Sequence, residues 1–450
     1  MSEDKFANLD SALQVLGGGS SQVRLEPGCR KADPLAIECY AAVPSFADPR
    51  ALLPLNATAP AWRAVLGQHT AGAANPMARA AARLLRLASP IGVRSLLLRD
   101  RLSVVADCDD LVETPLHQFL GEVLGRKDFV TSFRLAPFRP NGKPVVQAVA
   151  RNGTVLAYAK FGWEGLTRQL IRHEATVLGE LAPLTRGMPL KVPAVLYSGE
   201  WHGLEALVLS SLSCMRRTPR SSADVPVAAS VALAGLSARV VQQIGASAFW
   251  RRTASQMAQV APLLSDRARQ ITLEACAAVE DHWGDFDLPT GHSHGDWIPP
   301  NMSIRTDGAF NVWDWEHSGR DVPLGIDAMQ FILFVELRRR APDRALAGRL
   351  QAYGEAALSR HGLDPRTSVL LMVLSLLGSI LWFGQARAVG RQEKEDDRFT
   401  RALEIIVDPC RGLNALKGRP QRRSQGFRPR TTSTLASCSV QPSFRGTSDA

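Results

Sequence analysis

The feature that most constrains this chain is a run of polar residues between positions 294 and 327, set among apolar segments. It begins with His294-Gly295-Asp296 and reaches Asn301 five residues after the aspartate. A second aspartate, Asp314, follows 18 residues after the first and has apolar neighbours. The gap has room for a loop, a short strand, a turn at residues 306–308 and a second strand. We therefore predict a hairpin that returns Asp314 to the side of the Asp296 loop.

This combination of side chains suits phosphoryl transfer from a magnesium–nucleotide complex to a hydroxyl group. The reaction needs a carboxylate for the proton of the acceptor and oxygen ligands that hold the metal against the phosphates. Asp296 is the candidate catalytic base, and a carboxyl with an ordinary pKa of about 3.9 is ionised at neutral pH. Asn301 and Asp314 are the candidate magnesium ligands. The alternative is two unrelated acidic turns, since Asp and Asn are common in loops.

The segment resembles the catalytic core of the aminoglycoside phosphotransferase and choline kinase-like superfamily, whose fold is that of protein kinases. His-Gly-Asp stands where protein kinases have His-Arg-Asp, and Asp314-Trp315-Glu316 stands where they have Asp-Phe-Gly. The resemblance covers roughly residues 115–410 and implies an α+β fold with a small antiparallel-sheet lobe and a helical lobe. It also implies that Asp327 hydrogen-bonds the catalytic loop. We interpret His294 as a structural brace of that loop, with proton transfer as the alternative.

The resemblance implies ATP and magnesium as cofactors and assigns residues to the nucleotide. Lys160, at the end of the third predicted strand, would reach the α- and β-phosphates of ATP. Glu174, in a predicted helix over 165–181, would pair with Lys160 and hold it against the phosphates. The alternative for Lys160 is a solvated lysine on an edge strand. The backbone groups that would bind adenine end a later strand: Ser210, Ser211 and Leu212. Because serines stand there, the choice between ATP and GTP stays open.

The turn that would cover the phosphates, residues 137–144, differs from a glycine-rich loop. It has one glycine and three prolines, and proline offers no backbone N–H to a phosphate. Arg139 and Lys143 could supply charge instead, but we predict a solvated loop here.

Hydrophobic periodicity predicts the order of the elements. Strands are expected over 129–138, 145–150 and 155–161, followed by the helix over 165–181, two further strands and a mostly helical region from about 227. Asn152-Gly153 marks a hairpin between the second and third strands. We expect four regions: an N-terminal region of unknown role (1–112), a small lobe (113–215), a helical large lobe with the catalytic loop (216–410) and a disordered basic tail (411–450).

The net charge of +10 is concentrated in this tail, whose eight Lys/Arg and one Asp between residues 411 and 450 give +7. We expect a solvated extension and no nucleic-acid partner, with contact to nucleic acid or an anionic membrane as the alternative. Seven scattered cysteines without a CxxC pair indicate neither a zinc site nor a disulfide framework, and suit a cytoplasmic location. In the uncharged stretch 367–386 the strongly apolar part spans only residues 369–383, fewer than the about 20 residues of a membrane helix, so we predict a buried helix rather than a membrane span.

These features predict a phosphotransferase that moves a phosphoryl group from ATP to a small-molecule hydroxyl, such as a sugar, amino sugar or amino alcohol. Residues 216–290 hold eight Arg and seven Asp/Glu, so they do not form the acidic pocket that a polycationic aminoglycoside would want. The first alternative is a catalytically weak nucleotide-binding regulatory or scaffold protein of the same fold. The second is a nucleic-acid-associated protein that uses the basic tail. The sequence leaves the oligomeric state open.

Overall fold

The computed structural model describes nine stretches of the chain: residues 9–18, 23–28, 36–70, 98–107, 111–135, 142–213, 215–364, 367–388 and 396–412. The chain divides into a large unit, residues 1–408, and a second unit from residue 409, which is described only as far as residue 412. Nearly all of the basic tail lies outside the described residues, as does the segment 77–88, whose apolar periodicity predicts an amphipathic helix.

A nine-stranded antiparallel sheet dominates the first half of the described chain. Its strands are β1 (Val23–Pro27), β2 (Ala36–Val43), β3 (Ala51–Pro54), β4 (Arg101–Ala106), β5 (Phe129–Arg134), β6 (Val145–Ala150), β7 (Val155–Gly162), β9 (Val195–Trp201) and β10 (Leu204–Ser210). Their order in the sheet is β1-β4-β2-β3-β5-β6-β7-β10-β9. Three helices accompany the N-terminal part: α1 (Asp10–Leu16), α2 (Ala59–Thr70) and α3 (Pro115–Leu124).

Strands β5 to β7 and the following helix, α4 (Gly165–Leu184), form the sheet-and-helix part predicted for the small lobe. The turn between β6 and β7 is the predicted Asn-Gly hairpin, with Gly153 in the left-handed region at φ +90°. The first predicted strand was too long: β5 ends at Arg134 rather than at residue 138. Prolines at 137 and 140 explain the early end, because a proline cannot donate to a strand ladder.

The N-terminal strands belong to the same sheet as β5, which the sequence patterns did not indicate. β3 pairs with β5 through Ala51–Arg134 and Leu52–Phe133, so the sheet continues past the edge of the predicted small lobe. The Tyr40 hydroxyl, on β2, lies 2.5 Å from Thr131 Oγ1 on β5. Cys39, also on β2, is disulfide-bonded, although the cysteine spacing indicated no disulfide framework. The N-terminal strands are therefore a structural extension of the small-lobe sheet.

The second half of the chain is mainly helical, and the predicted α+β architecture of sheet and helical lobe is confirmed. Its helices are α5 (Val227–Ala234), α6 (Ala248–Val260), α7 (Asp266–Trp283), α8 (Ile326–Arg339), α9 (Leu346–Arg360), α10 (Thr367–Ala388) and α11 (Asp396–Gly412). Two small sheets complete it, one of β11 (Met215–Arg217), β14 (Met302–Arg305), β15 (Phe310–Val312) and β8 (Leu190–Lys191), the other of β12 (Val240–Gln243), β13 (Asp287–Ser293) and β16 (Gly319–Pro323).

The mostly helical region expected from about residue 227 begins with α5, but strand β12 follows that helix. The β-branched pair Val240-Val241 favours a strand after the helix has ended at Gly235. In the described chain, one helical segment, Thr367–Gln385, is long and apolar enough to span a membrane. Of its apolar window, 72% is buried inside the protein, as a core helix requires. That burial supports the predicted internal helix.

The pairing of β3 with β5 predicts that the small lobe needs its N-terminal extension. Deletion of residues 1–112 would expose the β5 edge and the buried ring of Phe133. We expect this variant to aggregate or to lose its cooperative melting transition, measured by circular dichroism. Truncation after Gly412 is the control and should leave the melting temperature unchanged. A soluble N-terminally truncated protein that melts like the parent would contradict the prediction.

Candidate active site

The predicted hairpin is present and brings the two halves of the polar motif together. Asp296 follows the end of β13, and a 3₁₀ turn at Pro299–Asn301 leads into β14. Strands β14 and β15 then pair in antiparallel register through Met302–Val312. The backbone N–H of Trp313 donates to the carbonyl of Asn301 at 3.1 Å. The residue before Asp314 is therefore hydrogen-bonded to the candidate metal ligand in the catalytic loop.

Lys160 is buried at the end of β7, where it contacts two carboxylates. Its Nζ lies 2.8 and 2.7 Å from the two carboxylate oxygens of Glu174 on α4, and it also contacts Asp314. Burial opposes the charge of the lysine, but Asp314, Glu174 and Glu316 outweigh it and raise the pKa of Lys160. Lys160 is therefore a cation within the cleft and not a solvated edge-strand residue.

The backbone at Asp314 adopts a conformation that is uncommon for residues other than glycine. Its φ of +65° lies in the left-handed region, which costs a residue with a side chain free energy that the surrounding structure must supply. The next residue, Trp315, is fully buried, and its backbone N–H donates to Glu174 Oε1 at 3.2 Å. Through its contacts with the Lys160 ammonium group and the Trp315 N–H, Glu174 holds both the lysine and the segment that carries Asp314.

Asp296 is partly buried in the catalytic loop and is hydrogen-bonded to Asn301. The Nδ2 amide of Asn301 donates to Asp296 Oδ2 at 2.6 Å and to the Asp296 carbonyl at 3.1 Å. Burial raises the pKa of Asp296 to about 6, although His317 and the Asn301 hydrogen bond favour the ionised form. The carboxyl group is consequently ionised near neutral pH but keeps enough basicity to accept a proton.

His294 has both ring nitrogens occupied by backbone groups. The N–H of Asp296 donates to Nδ1 at 3.1 Å, which leaves Nε2 to donate to the Trp313 carbonyl at 3.0 Å. Burial lowers the pKa of His294 to about 4, so the ring is neutral. A neutral ring that joins the catalytic loop to the segment before Asp314 supports a bracing role.

Asp327, in the first turn of α8, accepts three hydrogen bonds from the start of the catalytic loop. Ser293 Oγ donates to Oδ1 at 2.6 Å, the His294 N–H to Oδ2 at 2.9 Å and the Gly295 N–H to Oδ1 at 3.2 Å. Burial raises the pKa of this carboxyl group, and the three donors oppose that rise. The contacts are those expected of a residue that holds the loop.

A cavity lies between the sheet and the segment around Asp314. Two cross-strand rows face it, because β5, β6 and β7 pair Arg134 with Val145 and Lys160, and Ser132 with Gln147 and Tyr158. The remaining lining residues are Pro193, Leu209, Ser210, Leu212, Met215, Trp313 and Asp314.

Of the three candidate adenine-binding residues, two line this cavity and one does not. Ser210 and Leu212 line it, whereas the Ser211 hydroxyl donates away to the Val155 carbonyl at 2.7 Å. The N–H groups of Ser210 and Ser211 bond to the Ala194 and Leu156 carbonyls. A base at this edge would therefore have to use other backbone groups, such as the Leu212 N–H or the Ser210 carbonyl.

Sequence reasoning missed the position of Lys143. This lysine is 7% exposed, and its Nζ lies 2.5 Å from Glu316 Oε2, so the solvated-loop prediction is wrong for this residue. The other Glu316 oxygen lies 3.4 Å from His317 Nε2. Burial opposes the negative charge of Glu316, yet His317, Lys143 and Lys160 lower its pKa well below the usual range. The partners are 173 residues apart in sequence, so no local pattern could have identified them.

The residues fit a magnesium ion through oxygen ligands. In the described part of the chain no group of three or more His, Cys, Asp and Glu side chains could hold a metal by itself. Magnesium, however, is usually bound by one or two protein carboxylates together with waters and phosphate oxygens. The Asp314 carboxylate, which is 39% exposed, and the Asn301 Oδ1 are donors of this kind.

Comparison with solved structures finds small-molecule kinases. Choline kinase from Streptococcus pneumoniae is 13% identical, with 65% of this chain and 98% of that chain covered and a TM-score of 0.45. A putative fructosamine-3-kinase from Haemophilus somnus is 17% identical, with coverages of 65% and 96% and a TM-score of 0.39. An aminoglycoside phosphotransferase in a ternary complex with streptomycin and ATP is 10% identical, with coverages of 65% and 97% and a TM-score of 0.43.

The choline kinase and the aminoglycoside phosphotransferase bear the two names of the superfamily that the motif around Asp296 resembles. No protein-family model and no curated protein sequence matches the chain. At these identities the likeness concerns the fold alone. The roles of individual residues are therefore inferred from their contacts.

The catalytic loop predicts a strict requirement for glycine at position 295. Gly295 has φ +81°, and a Cβ there would lie 2.2 Å from the His317 carbonyl oxygen. Gly308 has a similar φ of +86° in open space, so Gly308→Ala is a matched control. We expect Gly308→Ala to lower the free energy of unfolding by about 1–2 kcal/mol, the cost of the left-handed backbone, and Gly295→Ala to lower it further. Equal losses in denaturant titrations would contradict the clash.

Proposed function

We propose that the protein is an ATP- and magnesium-dependent phosphotransferase whose acceptor is the hydroxyl of a small molecule, such as a sugar, amino sugar or amino alcohol. The observation that carries the proposal is a buried Lys160–Glu174 pair with Asp314 beside the lysine, joined to an Asp296–Asn301 pair by the backbone hydrogen bond from Trp313 to Asn301. Phosphoryl transfer needs a cation for the phosphates, oxygen ligands for a metal and a carboxylate for the acceptor.

The nucleotide would lie in the cavity below β5, β6 and β7. The ring of Tyr158 and the side chain of Leu209 offer surfaces for the base, and the lining backbone at Ser210 and Leu212 offers hydrogen-bonding groups. Lys160 would bind the α- and β-phosphates, with Glu174 fixing its direction. The base preference, adenine or guanine, is left to experiment.

Asn301 and Asp314 would hold the magnesium ion, which supplies positive charge against the phosphates. Asp296 would accept or orient the proton of the acceptor hydroxyl. Its Oδ2 already accepts from Asn301, so the other oxygen is the one proposed to meet the acceptor. In a loose transition state little proton transfer is needed, and the position of the carboxylate matters more than its basicity.

The direct test is acceptor-dependent release of ADP or GDP by the purified protein. Sugars, amino sugars, amino alcohols and aminoglycosides would be screened with magnesium and either ATP or GTP, and nucleotide binding would be measured separately by calorimetry. Turnover with one acceptor class supports the proposal. Tight nucleotide binding without turnover on any acceptor would favour a regulatory or scaffold protein. If the protein binds no nucleotide, both the phosphotransferase hypothesis and the hypothesis of a nucleotide-binding regulatory protein are wrong.

Substitution of the candidate base separates chemistry from binding. Asp296→Asn keeps the shape of the side chain but removes the carboxylate, so we expect phosphotransfer to fall by about 10²-fold or more while nucleotide affinity is kept. The exposed Asp285→Asn is a matched control and should behave like the parent. A rate within twofold of the parent for Asp296→Asn would exclude this residue as the base.

The raised pKa of Asp296 predicts an acid limb in the pH profile. The reactive form is the ionised carboxylate, so activity should fall as pH decreases through about 6, where burial sets its pKa. The profile of kcat/KM reports this titration in the free protein. A nucleotide phosphate also titrates near pH 6, so the residual rate of Asp296→Asn is measured alongside. A limb that is identical in parent and variant would belong to the nucleotide instead.

A further inference from the structure

The cation Lys143 lies on the cavity side of the sheet. Pro144 follows it, and a residue before proline is restricted to extended backbone. Side chains alternate along an extended chain, so Lys143 shares a face with Val145 and Gln147, both of which line the cavity. This orientation agrees with its contact to Glu316, two residues beyond Asp314.

The strand register gives the order of groups along the cleft. Gln147 lies opposite Tyr158, and Val145 lies opposite Lys160. Lys143 is two residues further in the same direction, beyond the Lys160 row and away from the Tyr158 row. Each step of two residues advances about 6.6 Å along a strand. A nucleotide with its base beside Tyr158 and its first phosphates at Lys160 would therefore extend its last phosphate toward Lys143.

The turn that contains Lys143 is poor in backbone N–H donors, and Arg139 is its other cation. Of its eight residues, 137–144, three are prolines without a backbone N–H and one is glycine. A buried lysine is costly unless it is paired, and a buried ion pair adds little net stability. The pair with Glu316 thus keeps a cation in the cleft that could exchange its carboxylate partner for a phosphate.

We propose that Lys143 binds the terminal phosphate of the nucleotide, with Glu316 holding the lysine in the cleft until the nucleotide arrives. This inference rests on the proposed function, because it assigns a further residue to the same nucleotide site. The two lysines would then bind different phosphates of the nucleotide. Lys160 meets the phosphates shared by ADP and ATP, and Lys143 meets the group that only the triphosphate carries.

The test is calorimetric binding of a nucleoside mono-, di- and triphosphate, with and without magnesium, using the base that the parent prefers. For Lys143→Met we expect unchanged monophosphate affinity, little change for the diphosphate and about a tenfold or greater loss for the triphosphate, the size of a lost hydrogen bond to a charged group. Lys143→Arg should retain most of the triphosphate affinity. Lys127→Met removes an exposed, ion-paired lysine and is the matched control.

Equal losses for all three nucleotides, or no loss for the triphosphate, would overturn the inference while leaving the proposed function intact. A parent protein that binds no nucleotide would reject both. If Lys143→Met does not fold, because Glu316 is left buried without its partner, the double variant Lys143→Met/Glu316→Gln removes both charges and is tested with the same three nucleotides. A triphosphate-specific loss supports the inference there as well.

Discussion

The ion pair between Lys160 and Glu174 is the interaction on which the rest of the site depends. Neither residue could be buried alone, because an unpaired charge in the interior costs far more than the pair itself contributes. The pair therefore requires β7 and α4 to stay packed together. The same Glu174 carboxylate accepts the N–H of Trp315, which fixes the backbone beside Asp314. A single carboxylate thus contacts both Lys160, the candidate phosphate-binding cation, and the segment that carries a candidate metal ligand.

The register of the sheet determines which side chains face the cavity. Lys160 and Tyr158 face the cavity only because β6 and β7 pair in one register, and a slip of one residue would turn both to the other side. The pairing of β3 with β5 covers an edge that would otherwise be open. The N-terminal strands carry none of the candidate catalytic residues, and their contact with the strands beside the cavity is this pairing at the β5 edge.

The sequence predicted best what is local. The hairpin from Asp296 to Asp314 could be inferred because its spacing, turn and apolar flanks lie within 20 residues. The place of the N-terminal strands could not, since strand pairing between β3 and β5 joins segments about 80 residues apart and leaves no periodic signal. Lys143 stands in a proline-rich turn whose composition is that of a solvated loop. In the folded protein Lys143 is buried beside Glu316, 173 residues further along the chain. A local sequence pattern cannot indicate a partner at that distance.

The cleft contains more carboxyl groups than lysines. Four carboxyl groups, those of Asp296, Asp314, Glu316 and Glu174, share two lysines, and among the described contacts Asp296 is the one without a lysine. Burial raises the pKa of Asp296, with smaller contributions from Asp314 and Glu316, while His317, Lys143 and Lys160 lower that of Glu316. A divalent cation would compensate carboxylates that the two lysines leave unbalanced. Burial thus keeps Asp296 basic beside a group of carboxylates that suits a metal, so the same cleft also suits a carboxylate that receives a proton.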